Sequence, residues 1–111
     1  MALKKLEAVI RPEKLDQVKE ALEQAGYHAM TVIEVRGRGE QRGVELQYRG
    51  STVRIDLLPK VKIEIVADEK DVEKIAEIIM RTARTGKPGD GRIFIIPVEK
   101  AYRIRTGEQQ A

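Results

Sequence analysis

Residues 85–92 read Thr-Gly-Lys-Pro-Gly-Asp-Gly-Arg, and they are the residue types in this chain best suited to holding a ligand. Glycine lets the backbone approach a ligand closely, and successive N–H groups that point inward form a concavity that binds anions. Lys87 and Arg92 can supply charge to the same anion. The pattern predicts a phosphate-binding loop. A flexible connection between a helix and a strand is the other interpretation of the same residues.

The composition of the 111-residue chain fits one domain and excludes several kinds of site. Cysteine is absent, which excludes disulfides, thiol nucleophiles and thiolate metal sites. Neither a signal peptide nor an apolar run of membrane-spanning length is recognisable. Charge is nearly balanced, with 21 basic and 18 acidic residues, and aromatic residues make up only 4%. The absence of cysteine leads us to expect a cytosolic protein. Because surfaces that stack on bases need aromatic residues, we also expect a protein that binds no nucleic acid.

Hydrophobic periodicity predicts the element order βαββαβ. Pro12 suits the first turn of a helix, Gly26 can end that helix, and Asp68 can cap the second one. Pro59 lies within the third predicted strand and indicates an edge, a bend or a bulge there. The predicted elements are strands at residues 6–10, 29–35, 52–66 and 93–98, helices at residues 12–25 and 68–83, and a short extra strand at residues 102–105.

This order is that of the ferredoxin-like fold, an α+β sandwich with one open sheet face that invites self-association. Residues 37–51 contain four glycines without a clean period and predict a long loop, with hairpin ends as one option. A loop of this length in a compact domain is usually functional or disordered. Residues 37–43 lack the spacing of a dinucleotide fingerprint, and residues 86–87 lack that of a Walker loop, so both motifs are rejected.

Several segments occur in the order and spacing of one family. Residues 37–43 (GRGEQRG), residues 48–51 (YRGS) and residues 85–92 are similar to segments of the P-II nitrogen-regulatory proteins. Residues 58–64 (LPKVKIE) and 103–108 (RIRTGE) extend the match, so the chain resembles this family from about residue 3 to about residue 108. The Glu-Gln pair in the first segment is more similar to the GlnK branch, especially its archaeal-type members.

The resemblance implies one domain over residues 1–111 that forms a homotrimer with ligand clefts between subunits. Each cleft would bind ATP or ADP, and 2-oxoglutarate would join ATP and magnesium. A loop at about residues 37–55, called the T-loop in the family, would change shape and dock a partner through Tyr48 and Arg49. The implied protein is a cytoplasmic regulator, not an enzyme. Its partner would be an ammonium transporter of the Amt type, which would recruit it to the inner face of the membrane, or a nitrogen-assimilation enzyme.

The resemblance also assigns the site residues. A phosphate-binding loop at about residues 84–92 would hold phosphates with its backbone N–H groups, and a C-terminal segment at about residues 102–111 would add guanidinium groups from a strand-like stretch. Gln41 would bind magnesium together with phosphate oxygens and contact 2-oxoglutarate, whose distal carboxylate would pair with Lys60. The nucleotide-binding residues would be Thr31, Gly37, Gly39, Gln41, Glu64, Gly89, Asp90, Gly91, Arg92, Arg103 and Arg105.

Five positions depart from the family pattern or need separate comment. Val53 replaces the tyrosine that is uridylylated in enterobacterial members, which excludes that covalent switch. Ser51 matches the serine that is phosphorylated in cyanobacterial members. Glu40 replaces a common basic residue and puts negative charge near the phosphates, and Pro88 stiffens the phosphate loop. His28 stands alone and is predicted to be a surface residue rather than a metal ligand.

Two other functions are compatible with the residues taken alone. One is a small ferredoxin-like enzyme that acts on a phosphorylated substrate, although no pair of general base and nucleophile stands out. The other is an RNA-binding ferredoxin-like domain. That function would use aromatic side chains on the sheet, and Phe94 is the only phenylalanine.

Overall fold

The computed structural model describes residues 2–38, 44–48, 50–55 and 57–110, and for residues 44–48 and 51–55 it describes the backbone alone. A 3-10 turn at Pro12–Lys14 leads into the first helix. The strands are β1 (Leu3–Ile10), β2 (Thr31–Gly37), β3 (Val44–Tyr48), β4 (Ser51–Ile55), β5 (Leu58–Asp68) and β6 (Gly91–Pro97), and the helices are α1 (Leu15–Gln24) and α2 (Glu69–Ala83).

The main sheet has the strand order β2-β5-β1-β6, and its pairs are antiparallel. Alternate residues of β1 and β5 point to the face that the two helices cover, because successive side chains in a strand point to opposite faces. The buried core is Leu6, Ala8, Ile10, Val18, Leu22, Val61, Ile63, Ile65, Val72, Ile75, Ala76, Ile79 and Ala83. The predicted ferredoxin-like fold is therefore confirmed, and its other sheet face is open.

The helix ends follow the predicted signals. Pro12 opens the 3-10 turn, and Gly26 follows α1 with a φ of 91°, a left-handed conformation that glycine adopts without strain. Asp68 caps α2, since its Oδ1 accepts a hydrogen bond of 3.0 Å from the Lys70 N–H. No helix in the described ranges is long and apolar enough to cross a membrane.

The single strand predicted over residues 52–66 is wrong. Its first part, β4, pairs with β3 in a separate two-stranded sheet, with Val44 opposite Ile55. Only β5 belongs to the main sheet. The turn of the hairpin contains Gly50, whose φ of 80° suits a tight reversal. The option of hairpin ends for the long loop is confirmed in that β3 and β4 pair as a hairpin.

Pro59 occupies a local edge, as predicted. Its neighbour across the sheet in β2 is Arg36, whereas the pairing of β5 with β1 stops at Val61 opposite Ile10. Proline cannot donate a ladder hydrogen bond, and none is required on the side where β1 has ended. Lys60 is consequently placed just beyond the end of β1.

The extra strand predicted at residues 102–105 is also wrong. One isolated bridge joins Tyr102 to Gln109, and the chain turns at residues 104–106. The Arg103 N–H donates to the Glu108 carbonyl at 2.9 Å, and the Gly107 N–H donates to the Arg103 carbonyl at 2.7 Å. Gly107 has a φ of 73°, so the chain reverses here instead of continuing as a strand. We call residues 101–110 the C-terminal hairpin.

Candidate functional site

The glycine-rich loop, residues 84–90, connects the end of α2 to the start of β6 and is closed by its own carboxylate. Asp90 Oδ2 accepts hydrogen bonds from the N–H of Thr85 at 2.9 Å and of Gly86 at 2.8 Å. The Thr85 hydroxyl donates to Asp90 Oδ1, and the Lys87 N–H donates to the Thr85 hydroxyl oxygen at 3.1 Å. The first half of the loop is thus wrapped around one acidic side chain.

Two cations from the adjoining end of the sheet hold the second half of the loop. Arg11 Nε lies 3.1 Å from Asp90 Oδ1, and Arg11 Nη2 donates to the Pro88 carbonyl at 2.8 Å. Lys60 Nζ donates to the Gly89 carbonyl at 2.6 Å. Since these contacts direct two successive carbonyls toward cations, they fix the orientation of the peptide groups between residues 88 and 90.

The loop carboxylate is held in its charged form. The hydrogen bond from the Thr85 hydroxyl, together with the N–H groups of Thr85 and Gly86 and the Arg11 guanidinium, holds the pKa of Asp90 well below its usual range. The described hydrogen bonds to the Asp90 carboxylate all come from donors of the loop itself and from Arg11. The side chain of Asp90 therefore shapes the loop, whereas a predicted role toward phosphate falls to its backbone N–H.

The loop offers backbone donors beside cationic side chains. Among the described residues, none accepts a hydrogen bond from the N–H of Gly89 or Asp90. Lys87 and Arg92 flank these two groups, and both are exposed. Gly89 and Gly91 have φ values of 98° and 112°. Backbone N–H groups at left-handed residues beside cations suit an anion such as phosphate.

Gly91 is required by a close approach of two strands. A Cβ atom built on it would lie 1.7 Å from the carbonyl oxygen of Val9 in β1. No side chain fits at that distance, so the loop can enter β6 at this position only through glycine.

A cavity of about 260 Å³ lies beside the loop, between α2 and the adjoining ends of β1 and β6. Its walls are mostly apolar, and polar groups from the loop and from both of its flanks add to them. The lining residues are Val9, Ile10, Ile79, Met80, Ala83, Arg84, Asp90, Gly91, Arg92 and Ile93. An apolar recess therefore adjoins the predicted anion-binding groups.

The structure brings one set of predicted site residues together. Gly37, at the end of β2, lies against Lys60, since a Cβ built on it would be 4.0 Å from Lys60 Cγ. Lys60 in turn contacts Gly89. The members of this group, which we call the loop group, are Gly37, Lys60, Gly89, Asp90, Gly91 and Arg92.

Thr31 and Glu64 form a second pair, directly opposite each other on β2 and β5. They occupy the open sheet face, because Ile63 and Ile65 face the helices. Glu64 lies 3.1 Å from Lys5 Nζ and 3.5 Å from Lys62 Nζ, and the hydrogen bond from Lys5 lowers the pKa of this carboxyl. A charged carboxylate and a hydroxyl thus belong to directly opposite residues of two neighbouring strands.

Arg103 and Arg105 belong to a segment that leaves the sheet at the end of β6, whereas the loop group lies at its start. They belong to the exposed C-terminal hairpin, which follows the end of β6, whereas the loop precedes its start. At about 3.3 Å per residue the ends of β6 are roughly 20 Å apart. The predicted alternation of the two arginines along a strand is wrong, since Arg105 lies in the turn of the hairpin.

Several predicted residues lie outside the described ranges, namely Gly39, Glu40, Gln41 and Arg49, and the description of Tyr48 covers its backbone in β3. His28 is exposed, as predicted. No three His, Cys, Asp or Glu side chains converge in the described part of the chain in a way that could hold a metal ion.

Sequence reasoning missed Arg11 and Thr85. Arg11 lies outside the matched segments, and Thr85 lies within one but was given no role. Both contact Asp90. Arg11 could have been found from the register of the antiparallel sheet. β1 ends with Ile10 opposite Gly91, so the next residue of β1 must lie beside the loop that leads into β6.

Comparisons with known proteins agree over almost the whole chain. The family model described as "Nitrogen regulatory protein P-II" matches residues 3–108. The chain is 58% identical over 106 residues to nitrogen regulatory protein P-II 2 of Methanothermobacter thermautotrophicus, which covers 96% of this chain and 92% of that protein. It is 54% identical to the P-II protein of Nostoc punctiforme and 53% identical to that of Pasteurella multocida, over 96% of both chains in each case.

Proposed function

Because the chain belongs to the P-II family of nitrogen-regulatory proteins, we propose that it senses ATP, ADP and 2-oxoglutarate and passes the signal to a partner protein through its T-loop. P-II proteins are signalling regulators, and this chain is accordingly a regulator of nitrogen metabolism rather than an enzyme. We place it in the GlnK branch as part of the proposal. The whole chain acts as one domain, with the T-loop, the phosphate-binding loop and the C-terminal segment as its functional parts.

The clamped glycine loop is the observation that carries nucleotide binding. Arg11, Lys60 and Asp90 hold its peptide groups in place, so the N–H groups of Gly89 and Asp90 are oriented before a ligand arrives. Preorganised donors are an advantage because binding then costs less ordering. Phosphate oxygens of ATP or ADP would accept from these N–H groups and pair with the Arg92 guanidinium.

Two copies of the chain would share each site. The loop group lies at one end of the sheet, and the arginines of the C-terminal hairpin follow the other end. A head-to-tail contact brings unlike ends of two copies together, and such contacts form a closed ring when the rotation between copies allows it. This separation supports a homotrimer in which Arg103 and Arg105 of one subunit face the loop of the next, with Thr31 and Glu64 contributing polar contacts to adenine and ribose.

The second ligand would depend on the first. Gln41 would hold magnesium through its neutral amide oxygen, and the ion would supply positive charge to the two anionic ligands. Lys60 would pair with the distal carboxylate of 2-oxoglutarate. In the structure its ammonium group contacts the Gly89 carbonyl, so it lies at the phosphate loop already. We therefore expect 2-oxoglutarate to bind only with ATP and magnesium, a reciprocal coupling of two ligands.

The T-loop would connect the ligand site to the partner. Gly37 begins this segment beside Lys60, and the β3–β4 hairpin extends from it. The proposed partner is an ammonium transporter, whose cytoplasmic mouth Arg49 would block with several directional hydrogen bonds, and a nitrogen-assimilation enzyme is the alternative. Val53 excludes uridylylation, so release would come from ATP with 2-oxoglutarate, provided that these ligands favour one loop conformation.

Calorimetry with ATP and magnesium tests the nucleotide site. Replacing both Arg103 and Arg105 with alanine should weaken ATP binding by about 100-fold, since each charge-assisted contact contributes about 1.5 kcal/mol or more. The matched control neutralises two exposed lysines of α2, Lys70 and Lys74, and should leave ATP affinity within about twofold. Equal ATP affinity in the arginine variant and the parent protein would refute the site.

The same titrations test the order of ligands. 2-Oxoglutarate should bind to the protein with ATP and magnesium, and similar affinity for the nucleotide-free protein would contradict the coupling. Capture of the cognate transporter should succeed with ADP, fail with ATP plus 2-oxoglutarate, and weaken strongly for Arg49→Ala. Docking that ignores both the nucleotide and Arg49 would count against the proposed output.

A further inference from the structure

We propose that Ile104 of one copy inserts into the cavity beside the phosphate-binding loop of a second copy, so that the nucleotide site is completed by an apolar contact as well as by arginines. The inference rests on the proposed function, in which two copies share each nucleotide. It assigns an occupant to the cavity and a role to a residue that does not itself contact phosphate.

Ile104 is held in full contact with solvent within its own chain. The C-terminal hairpin is closed by the bridge between Tyr102 and Gln109 and by the hydrogen bond from the Arg103 N–H to the Glu108 carbonyl. Ile104 stands in its turn with a relative exposure of 102%. Burying an aliphatic side chain is favourable because it removes apolar surface from water, so an ordered turn that presents Ile104 is suited to an apolar contact elsewhere.

The cavity offers such a contact. Ile79 and Ala83 of α2 and Ile93 of β6 form apolar walls, and Met80 lies at the opening with a relative exposure of 45%. Its volume of about 260 Å³ accommodates a branched aliphatic side chain. The apolar part of its lining makes an aliphatic side chain a suitable occupant, because contact between the two removes apolar surface from water.

The occupant comes from a second copy. The cavity adjoins the start of β6, and the hairpin follows its end, so the two features lie at opposite ends of a strand roughly 20 Å long. A head-to-tail arrangement of copies places the hairpin of one beside the cavity of the next. This is the same arrangement that brings Arg103 and Arg105 to the phosphate loop.

Charge makes the contact dependent on an anion. Arg84 and Arg92 line the cavity, and Arg103 and Arg105 flank Ile104, so insertion gathers cations from both copies. Like charges brought together in a partly desolvated contact repel each other. Phosphate groups bound at the loop lie among the same cations and offset this repulsion. We therefore expect insertion to be promoted by ATP.

Cross-linking provides a direct test, because the chain contains no cysteine. A variant with both Met80→Cys and Ile104→Cys is treated with a short bismaleimide in the presence of ATP and magnesium, and products are separated on a denaturing gel. We expect covalently linked copies to form at least tenfold faster than in either single-cysteine variant. Cross-linking no faster than in the single variants would overturn the proposal.

Calorimetry on the same variants separates this inference from the nucleotide site. If ATP binds but the double-cysteine variant does not cross-link, the insertion is wrong and the proposed function stands. If the variant cross-links but ATP does not bind, the insertion stands and the proposed nucleotide site is wrong. Ile104→Ser should weaken ATP binding about tenfold, whereas Ile104→Leu should stay within about twofold. Unchanged ATP affinity in Ile104→Ser would contradict the insertion.

Discussion

Among single residues, Asp90 has the clearest structural assignment. Its carboxylate accepts from the Thr85 hydroxyl and from the N–H groups of Thr85 and Gly86, and it pairs with Arg11. A carboxylate that is fully engaged with donors can hold a loop in one conformation without contacting the ligand. In the proposed site, phosphate binding would therefore depend on a side chain of the same charge as phosphate, because that side chain sets the direction of the N–H groups.

Replacing Asp90 with asparagine should destabilise the protein in a pH-dependent way. The amide nitrogen of asparagine cannot accept from Thr85 or Gly86, so part of the loop network is lost. The pKa of Asp90 is lower in the folded protein than its value of about 3.9 in an unfolded chain, so its contribution is fully present above that value and is lost as pH falls through the folded pKa.

Urea denaturation of the parent protein and Asp90→Asn measures this dependence. The difference in free energy of unfolding should be constant above about pH 5 and should shrink as pH falls below about 4. Asp16→Asn, at an exposed carboxylate of α1, is the matched control and should show no comparable loss at neutral pH. A difference for Asp90→Asn that is independent of pH would contradict a role for the charge.

Arg11 should affect nucleotide affinity without touching the nucleotide. It holds both Asp90 and the Pro88 carbonyl with one planar group, so Arg11→Ala removes two contacts on the loop. We expect ATP affinity to fall about tenfold, which corresponds to about 1.4 kcal/mol. Arg11→Lys should recover only part of the lost ATP affinity, since an ammonium group cannot make the two directional hydrogen bonds of the planar guanidinium. Arg81→Ala, at an exposed arginine of α2, is the control, and equal ATP affinity in both alanine variants would refute the clamp.

Residue types predicted the loop but not its scaffold. Glycines and cations in close succession indicated an anion site, because their chemistry is local to residues 85–92. Arg11 and Lys60 reach the loop from distant parts of the chain, and nothing in their own neighbourhood marks that contact. Their roles follow only from strand order and register, which place the end of β1 and the start of β5 at the end of the sheet where β6 begins.

Among the elements, hydrophobic periodicity predicted those helices and strands best that bury one face in the core. The stripes of α1 and α2 and the alternation in β1 face the core, and these elements formed where expected. The strand predicted over residues 52–66 failed because both of its halves alternate, although they belong to different sheets. Alternation identifies extended backbone but carries no information about the partner strand.

The junction of the loop with β6 is the most sterically constrained position among the described glycines. Gly91→Ala would place a methyl group 1.7 Å from the Val9 carbonyl oxygen, and β1 and β6 would have to separate. We expect a loss of about 3 kcal/mol or more in the free energy of unfolding. Gly86→Ala is the matched control, since Gly86 also has a positive φ of 85° but has open space around it.

The control should cost about 1 kcal/mol, the ordinary penalty for alanine in a left-handed conformation. The comparison of the two variants by thermal or urea denaturation therefore separates backbone strain from the collision with β1. Equal losses for Gly91→Ala and Gly86→Ala would show that close packing of β1 and β6 does not constrain this glycine.

For the whole molecule, the open sheet face sets the expected mode of assembly. Phe94, Ile96 and Val66 have relative exposures of 47%, 39% and 51% on this face. Lys5 and Glu64 lie among these apolar side chains and form an ion pair, so their charges compensate each other. An apolar face with a compensated charge cluster suits contact with further copies of itself, because burial removes apolar surface from water without leaving an unpaired charge.

Phe94→Asp should therefore convert the proposed homotrimer to single chains. When copies associate, the aspartate would be buried on the open face without a partner. Burying an unpaired charge costs much more free energy than leaving it exposed to water in a single chain. Sedimentation velocity should report a species near the chain mass of 12.6 kDa, while the far-ultraviolet circular dichroism stays unchanged because Phe94 is outside the core. Lys74→Asp, on the exposed surface of α2, is the control and should sediment like the parent protein. A trimer that persists in Phe94→Asp would place the subunit contacts on another surface. ATP affinity measured on the same samples should fall with the loss of the trimer, because each site needs the arginines of a neighbouring copy.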